Sequence, residues 1–298
     1  MTLPGGMAAD VAAVIGQVTG RAFVTQSQAQ ASGGCINQSV VLTGRDGRRF
    51  FLKINQATQA EMFAAEAASL QALQAAGAVH VPEPVAQGLS ESFAWLVLSF
   101  LSLGHGKQNP MLLGRQLAAL HQVTSPMFGW HRDNFIGSTP QVNATEQSWI
   151  VFFRDQRLRP QLELGHGHWV SGRVQQLANR LLEVLDRFFD NYGPVPSLLH
   201  GDIWSGNYGY LQDGTPVLFD PAVYFGDREA DLAMTELFGG FPPDFYAAYR
   251  EAWPLDSGYA VRRDLYNLYH VMNHANLFGG GYARQAEQMM SRLLAEIH

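Results

Sequence analysis

The sequence predicts a two-lobed α+β protein, and three observations carry that expectation. The first third reads as strands with one long helix, the remainder reads almost wholly as helices, and the joint "SLGHG" at 102–106 separates them. The expected division is a first lobe over 1–100 and a second over 101–298. The joint is then a candidate hinge, with a ligand expected beside it.

Composition sets the class. Of 298 residues 47% are hydrophobic, enough to bury one large core or two modest ones. No apolar run approaches the roughly eighteen residues that would span a membrane. The opening "MTLPGGMAADVAAVIGQ" has no basic stretch and carries Asp10, so it does not read as a signal peptide. A globular, cytoplasmic protein is expected, with no membrane partner. The net charge of −6 argues against broad nucleic-acid binding. Cys35 is the only cysteine, which excludes an internal disulfide and fits a reducing compartment. A monomer is expected, with a Cys35-linked dimer as its possible oxidised form.

The elements come in this order. Residues 7–18 have helical spacing, and "AFVTQSQAQASGGCINQSVVLTGRDGRRFFLKIN" reads as three strands turning at Gly33-Gly34 and Asp46-Gly47. Asp-Gly between runs rich in Val, Leu and Phe is a hairpin signal. Residues 59–76, rich in alanine and leucine, form the long helix, which Gly77 should stop. "EPVAQGL" and "FAWLVLSFL" are two more strands, the second apolar throughout and therefore buried. Beyond the joint, helices are expected over 111–123, 146–164, 172–191, 245–253, 258–275 and 282–297. The polar segment 128–145 is long for a plain connection, which makes it a functional candidate.

The chemistry concentrates in "HGDIWSGN", 200–207, and in the aspartate that ends "YGYLQDGTPVLFDP". Asp202 and Asn207 have the D-x-x-x-x-N spacing of a phosphoryl-transfer loop, and Asp220 returns on the following hairpin. In such a loop Asp202 accepts the proton of an attacking hydroxyl, while Asn207 and Asp220 offer hard oxygen ligands to Mg²⁺ on nucleotide phosphates. In the first lobe, Lys53 lies in an otherwise apolar strand, where a lysine needs a partner. Glu66 on the long helix is preferred because it sits among alanines and leucines; Glu61 is the competitor on another face.

Together "HGDIWSGN", "FDPAVYFGDREADLAMTELFGGF", "DNFIGSTPQ" and "RLRPQLELG" resemble the fructosamine/ketosamine-3-kinase family, from about residue 32 to 282. That family is similar to aminoglycoside phosphotransferases and shares the protein-kinase-like fold. The resemblance implies ATP and Mg²⁺ as cofactors and phosphorylation at O3 of a small or protein-linked ketoamine, a deglycation repair. It implies Asp202 as the base, Asn207 and Asp220 as metal ligands, and Lys53 with Glu66 as the nucleotide-side pair. Residues 32–37, including Gly33, Gly34, Cys35, Ile36 and Asn37, become the phosphate-covering turn. Asp231 becomes a brace of the catalytic loop, and the segment Ser99, Phe100 and Leu101 meets adenine through its backbone. Other small-molecule kinases, acting on an aminoglycoside, choline or a sugar, and a nucleotide-binding pseudokinase are the alternatives.

Several features depart from the pattern or admit a plainer reading. "SGGCIN" is not the G-x-G-x-x-G loop of protein kinases, and Pro221-Ala222 follows the metal aspartate where those enzymes have Phe-Gly. Trp204 is read as a wall for sugar C–H faces, with a core anchor as its alternative. Asp133 and Asn134 are read as substrate or cleft residues in the long loop. His270 and His274 stand four apart on a helix, but without the glutamate of a zinc peptidase they read as core histidines. His166 and His168 read as surface groups. Cys35, beside bound phosphate, could be redox-responsive.

Overall fold

The structure, a computed structural model, describes residues 3, 6–31, 37–104 and 106–297. The chain forms two compact units, Met1–Gln108 with Gly209–Phe219, and Asn109–Tyr208 with Asp220–His298.

In the first unit, α1 (Met7–Val18) precedes a five-stranded antiparallel sheet. Its strands are β1 (Thr25–Gln30), β2 (Gln38–Gly44), β3 (Arg49–Gln56), β4 (Pro84–Ser90) and β5 (Phe93–Ser99), in the order β1-β2-β3-β5-β4. The register places Lys53 opposite Ser39 on β2 and Leu96 on β5. Helix α2 (Ala60–Ala76) lies between β3 and β4 in sequence and ends at Gly77, whose φ of 66° is the left-handed cap that glycine adopts without strain. Val11 and Ile15 of α1 join Leu42, Leu52, Ile54, Trp95 and Val97 in one buried cluster.

The second unit opens with α3 (Pro110–His121), whose Asn109 side chain caps the Leu112 N–H. The long polar segment contains a small hairpin, β6 (Asn134–Ile136) and β7 (Thr139–Gln141). The helix expected over 146–164 is interrupted: α4 (Trp149–Phe152) runs into a π-helical turn, Phe153–Leu158, before α5 (Arg159–Gly165). A π turn inserts an extra residue and re-aims the helix beyond it, and here it accompanies a fully buried Arg157. Helix α6 (Gly172–Glu183) stops short of its expected end and gives way to a 3₁₀ segment, Leu185–Phe189.

Next come β8 (Ser197–Leu199), the hairpin β9 (Tyr208–Tyr210) and β10 (Pro216–Leu218), and β11 (Tyr224–Gly226), which pairs antiparallel with β8. The boundary after the joint falls at Gln108 rather than Phe100, and 209–219 belongs to the first unit. The reason is in the backbone. Gly104 N–H donates to Tyr210 O at 2.7 Å, and Leu218 N–H donates to His80 O at 2.9 Å.

Four helices complete the second unit: α7 (Arg228–Leu237), α8 (Pro243–Ala252), α9 (Tyr259–Phe278) and α10 (Gly281–Glu296). α3 packs on α8, and α9 packs on both α7 and α10. No helix among the described residues is long and apolar enough to cross a membrane.

Candidate active site

The loop 200–207 leaves β8 through a turn that only glycine fits. Gly201 has φ 82°, and a Cβ there would lie 2.1 Å from Ala222 O. Below it stands Asp231 of α7, 2% exposed. Its Oδ2 accepts from His200 N–H at 2.7 Å and its Oδ1 from Gly201 N–H at 2.9 Å. His121 Nε2 lies 3.1 Å from Oδ2, while its Nδ1 lies 2.8 Å from the Tyr249 hydroxyl. Burial alone would push the Asp231 carboxyl up, but the His121 bond and charge, the His200 charge and the Gly201 N–H together hold it below the usual range.

α7 itself is anchored by buried polar groups. Asp227 caps its start by accepting from Glu229 N–H at 3.0 Å and takes hydrogen bonds from the Tyr192 and Tyr266 hydroxyls. Arg262 of α9 forks onto Glu229 at 2.7 and 3.1 Å. Such a bidentate pair fixes direction as well as charge, so α7 presents Asp231 to the loop from a rigid base.

Asp202 and Asn207 meet inside the loop. The Asn207 amide donates to Asp202 O at 2.8 Å and to Asp202 Oδ2 at 3.0 Å, which leaves the amide oxygen as the atom that could ligate a cation. Burial pushes the Asp202 carboxyl up to about 7, the charge of Asp220 adds to the rise, and the Asn207 bond opposes it. A second carboxylate near enough for its charge to raise Asp202 makes this a place where a cation fits. Asp220 has φ 57°, a left-handed backbone that non-glycine residues seldom adopt and that often marks a functional position. Two residues on, Ala222 N–H donates to His200 O at 2.9 Å, which ties the two segments together. Among the described residues no group of three His, Cys, Asp or Glu is placed to hold a metal.

The long segment turns out to support this loop. Asn134 is 2% exposed, donates to Val223 O at 2.7 Å, and accepts from Gln141 and Asn143 at 2.8 and 3.0 Å. Gln141 in turn accepts from the Tyr269 hydroxyl at 2.7 Å, and Arg157 donates to Asn143 Oδ1 at 2.7 Å. Asp133 accepts from Asn143 N–H at 2.8 Å. The sequence suggests Asn134 as a substrate residue. With its carboxamide consumed by protein partners, its place is instead beneath the backbone that follows Asp220. Asn134→Ala should therefore cost roughly 1–3 kcal/mol in denaturant unfolding while the acceptor KM stays within about twofold. A raised KM at unchanged stability would return Asn134 to the substrate.

Trp204, two residues past Asp202, is 36% exposed and touches Phe238 edge-on at 6.2 Å, so it is no core anchor. His270 is buried, and desolvation lowers its pKa to about 3. It is a neutral interior histidine.

In the first unit, Lys53 Nζ lies 2.5 Å from Glu66 Oε1, and both side chains are nearly buried. Asn37 accepts from Asn55 Nδ2 at 2.7 Å. Ser99 N–H donates to Glu83 O, and its hydroxyl accepts from Glu83 N–H, both at 2.8 Å, so these two groups serve the sheet edge. Phe100 carries the Arg49 guanidinium over its ring at 3.7 Å, and Leu101 O accepts from Leu103 N–H at 3.1 Å. Gly33, Gly34, Cys35 and Ile36 lie outside the described residues. Glu66→Gln should cut turnover sharply and Glu61→Gln much less, as steady-state kinetics would read. Lys53→Met should lose activity too, with a small stability change of either sign, because apolar packing can replace a buried ion pair.

Sequence alone could have flagged one missed residue, His121, a polar group on the apolar face of "MLLGRQLAALH". Gln141, Asn143, Arg157 and Tyr269 gave no comparable local signal.

A protein of Synechocystis sp. named "Probable ketoamine kinase" is 46% identical over 286 residues, covering 95% of this chain and 96% of the relative. The chloroplastic protein-ribulosamine 3-kinase of Arabidopsis thaliana is 38% identical over 278 residues, covering 92% and 85%. The solved structure of a Haemophilus somnus 129PT protein assigned as a fructosamine-3-kinase superposes with a TM-score of 0.87 at 27% identity, covering 95% of this chain and 96% of that one. The streptococcal choline kinase structure, at 15% identity and a TM-score of 0.62 over 97% and 99%, shares the fold. A model of the family described as fructosamine kinase matches residues 7–296. The loop 200–207, the aspartates around it and the two-lobed α+β fold thus sit in a chain that belongs to the fructosamine kinase family of phosphotransferases.

Proposed function

We propose that the protein transfers the γ-phosphoryl group of ATP to the C3 hydroxyl of a ketoamine sugar, with Asp202 as the base. The observation that carries this reading is the meeting of Asp202, Asn207 and the charge of Asp220 on a loop braced by Asp231. Asp202 orients the acceptor hydroxyl and takes its proton. Asp231 holds the loop's first two N–H groups, so the base is positioned before substrate arrives. The Lys53 ammonium, set by Glu66, supplies positive charge to the nucleotide phosphates.

Asn207 and Asp220 fit Mg²⁺: an amide oxygen and a carboxylate are hard ligands, and two protein donors suit an ion completed by phosphate oxygens and water. When bound, such an ion neutralises charge on the transferring group. Trp204 covers the sugar's C–H face. The relatives named as a ketoamine kinase and a protein-ribulosamine 3-kinase support a ketoamine acceptor. The phosphorylated adduct then breaks down and releases the amine, a repair of glycated amines, free or protein-linked.

A coupled ADP-release screen tests the acceptor. Fructosyl- or ribulosyl-lysine derivatives should drive ADP release, while kanamycin, choline and free sugars should not. Turnover of one of those three classes with no ketoamine activity would move the assignment to another small-molecule kinase.

A further inference from the structure

Trp204 begins a run of aromatic rings that is exposed at Trp204 and Phe278 and half-buried between them. Phe238, just beyond α7, meets Trp204 and then His274 of α9 at 4.9 Å. His274 in turn meets Phe278 at 5.5 Å and Tyr282 of α10 at 5.1 Å. Phe278 is 59% exposed. Scattered apolar residues on a surface need no explanation, but a connected aromatic face that starts two residues from a catalytic carboxylate does.

His274 belongs to this face as a neutral ring. Burial lowers its pKa, and its Nδ1 lies 2.8 Å from His270 O, a carbonyl that can only accept. The proton is therefore on Nδ1, and Nε2 is an acceptor. Every ring in the run thus offers a negative π face, and the imidazole adds a lone pair. Rings of this kind attract a cation that has left bulk water.

The ketoamine acceptor, on the function proposed for this site, supplies such a cation. Its nitrogen is a secondary amine, protonated at neutral pH, and it lies only a few bonds from the C3 hydroxyl at Asp202. A free ketose has a neutral hydroxyl at the same place. We propose that the Trp204, Phe238 and His274 rings form the subsite for the protonated amine, with Phe278 and Tyr282 extending it along the N-substituent, and that this subsite sets the preference for ketoamines over free ketoses.

The test compares one ketoamine with its N-acetylated counterpart, which keeps the sugar but has no charge on nitrogen. Wild-type protein should favour the amine by at least about fivefold in kcat/KM, and Phe238→Leu and His274→Leu should bring that ratio close to one, since a desolvated cation over rings is worth that much. The KM for ATP should not move. Phe238→Tyr, which keeps the ring, should keep the ratio. Phe278→Ala, at an exposed site where folding is not at risk, should lower it in part.

An equal ratio in wild type and in the folded Leu variants overturns the subsite and leaves the kinase reading intact. So does a wild type that uses the acetylated compound as well as the amine. Absence of any ketoamine turnover, with another acceptor phosphorylated, overturns the acceptor assignment and the subsite together.

Discussion

Asp202→Asn should lower kcat by at least about a hundredfold while Mg·ATP still binds, because general-base catalysis typically supplies 10²–10⁴. The substitution is nearly isosteric, so the loop geometry should survive: the backbone bond from the Asn207 amide to Asp202 O at 2.8 Å does not involve the carboxylate. What is lost is an oxygen able to take a proton. Rapid-quench turnover with the preferred acceptor separates this from weakened binding, since removal of the base lowers kcat without a matching rise in the nucleotide KM. Wild-type turnover in the variant would take Asp202 out of the mechanism.

Asp231→Asn should cost about 3 kcal/mol of stability and at least tenfold in kcat, since a charged acceptor of several buried donors cannot be replaced by a group that itself donates. In wild type the His200 and Gly201 N–H groups and His121 Nε2 all converge on the two Asp231 oxygens. The asparagine amide turns one of those oxygens into an NH₂ that faces a donor. The Gly201 N–H loses its charged acceptor at the turn where the loop leaves β8. Thermal unfolding and single-turnover kinetics should decline together. Unchanged stability with unchanged kcat would show that the loop is held elsewhere, most plainly through the Ala222–His200 backbone bond.

The parts of the molecule that could be read from sequence are those whose cause is local. The Asp46-Gly47 hairpin follows from neighbouring residues, and so do the stop at Gly77 and the Asp202-to-Asn207 spacing. The Lys53–Glu66 pair is legible on a different ground: a lysine in an apolar strand must find a carboxylate, and the inward helix face supplies one.

The rest depends on partners far along the chain. The polar residues of α7 and its cap do not mark a solvent face, because Asp227, Arg228, Glu229 and Asp231 are all buried. Their counterparts are Tyr192, Tyr266, Arg262, Tyr249 and His121, none of them nearby in sequence. The π turn at Phe153–Leu158 has the composition of an ordinary helix, and its purpose shows only when Arg157 reaches Asn143. Asn134 resembles a loop residue available to substrate for the same reason: its partner, Val223 O, is 89 positions away.

On the function proposed above, the loop braced by Asp231 phosphorylates a ketoamine at O3 with Asp202 as base. The most direct measurement is ³¹P and ¹³C NMR of the product formed from ATP and a ¹³C-labelled ketoamine, with wild-type and Asp202→Asn protein run side by side. Phosphorus coupling at C3 and its neighbouring carbons is expected with wild type, and no such product is expected from the variant over the same time. Phosphate at another carbon, an equal yield from the variant, or no ketoamine phosphate at all would contradict it.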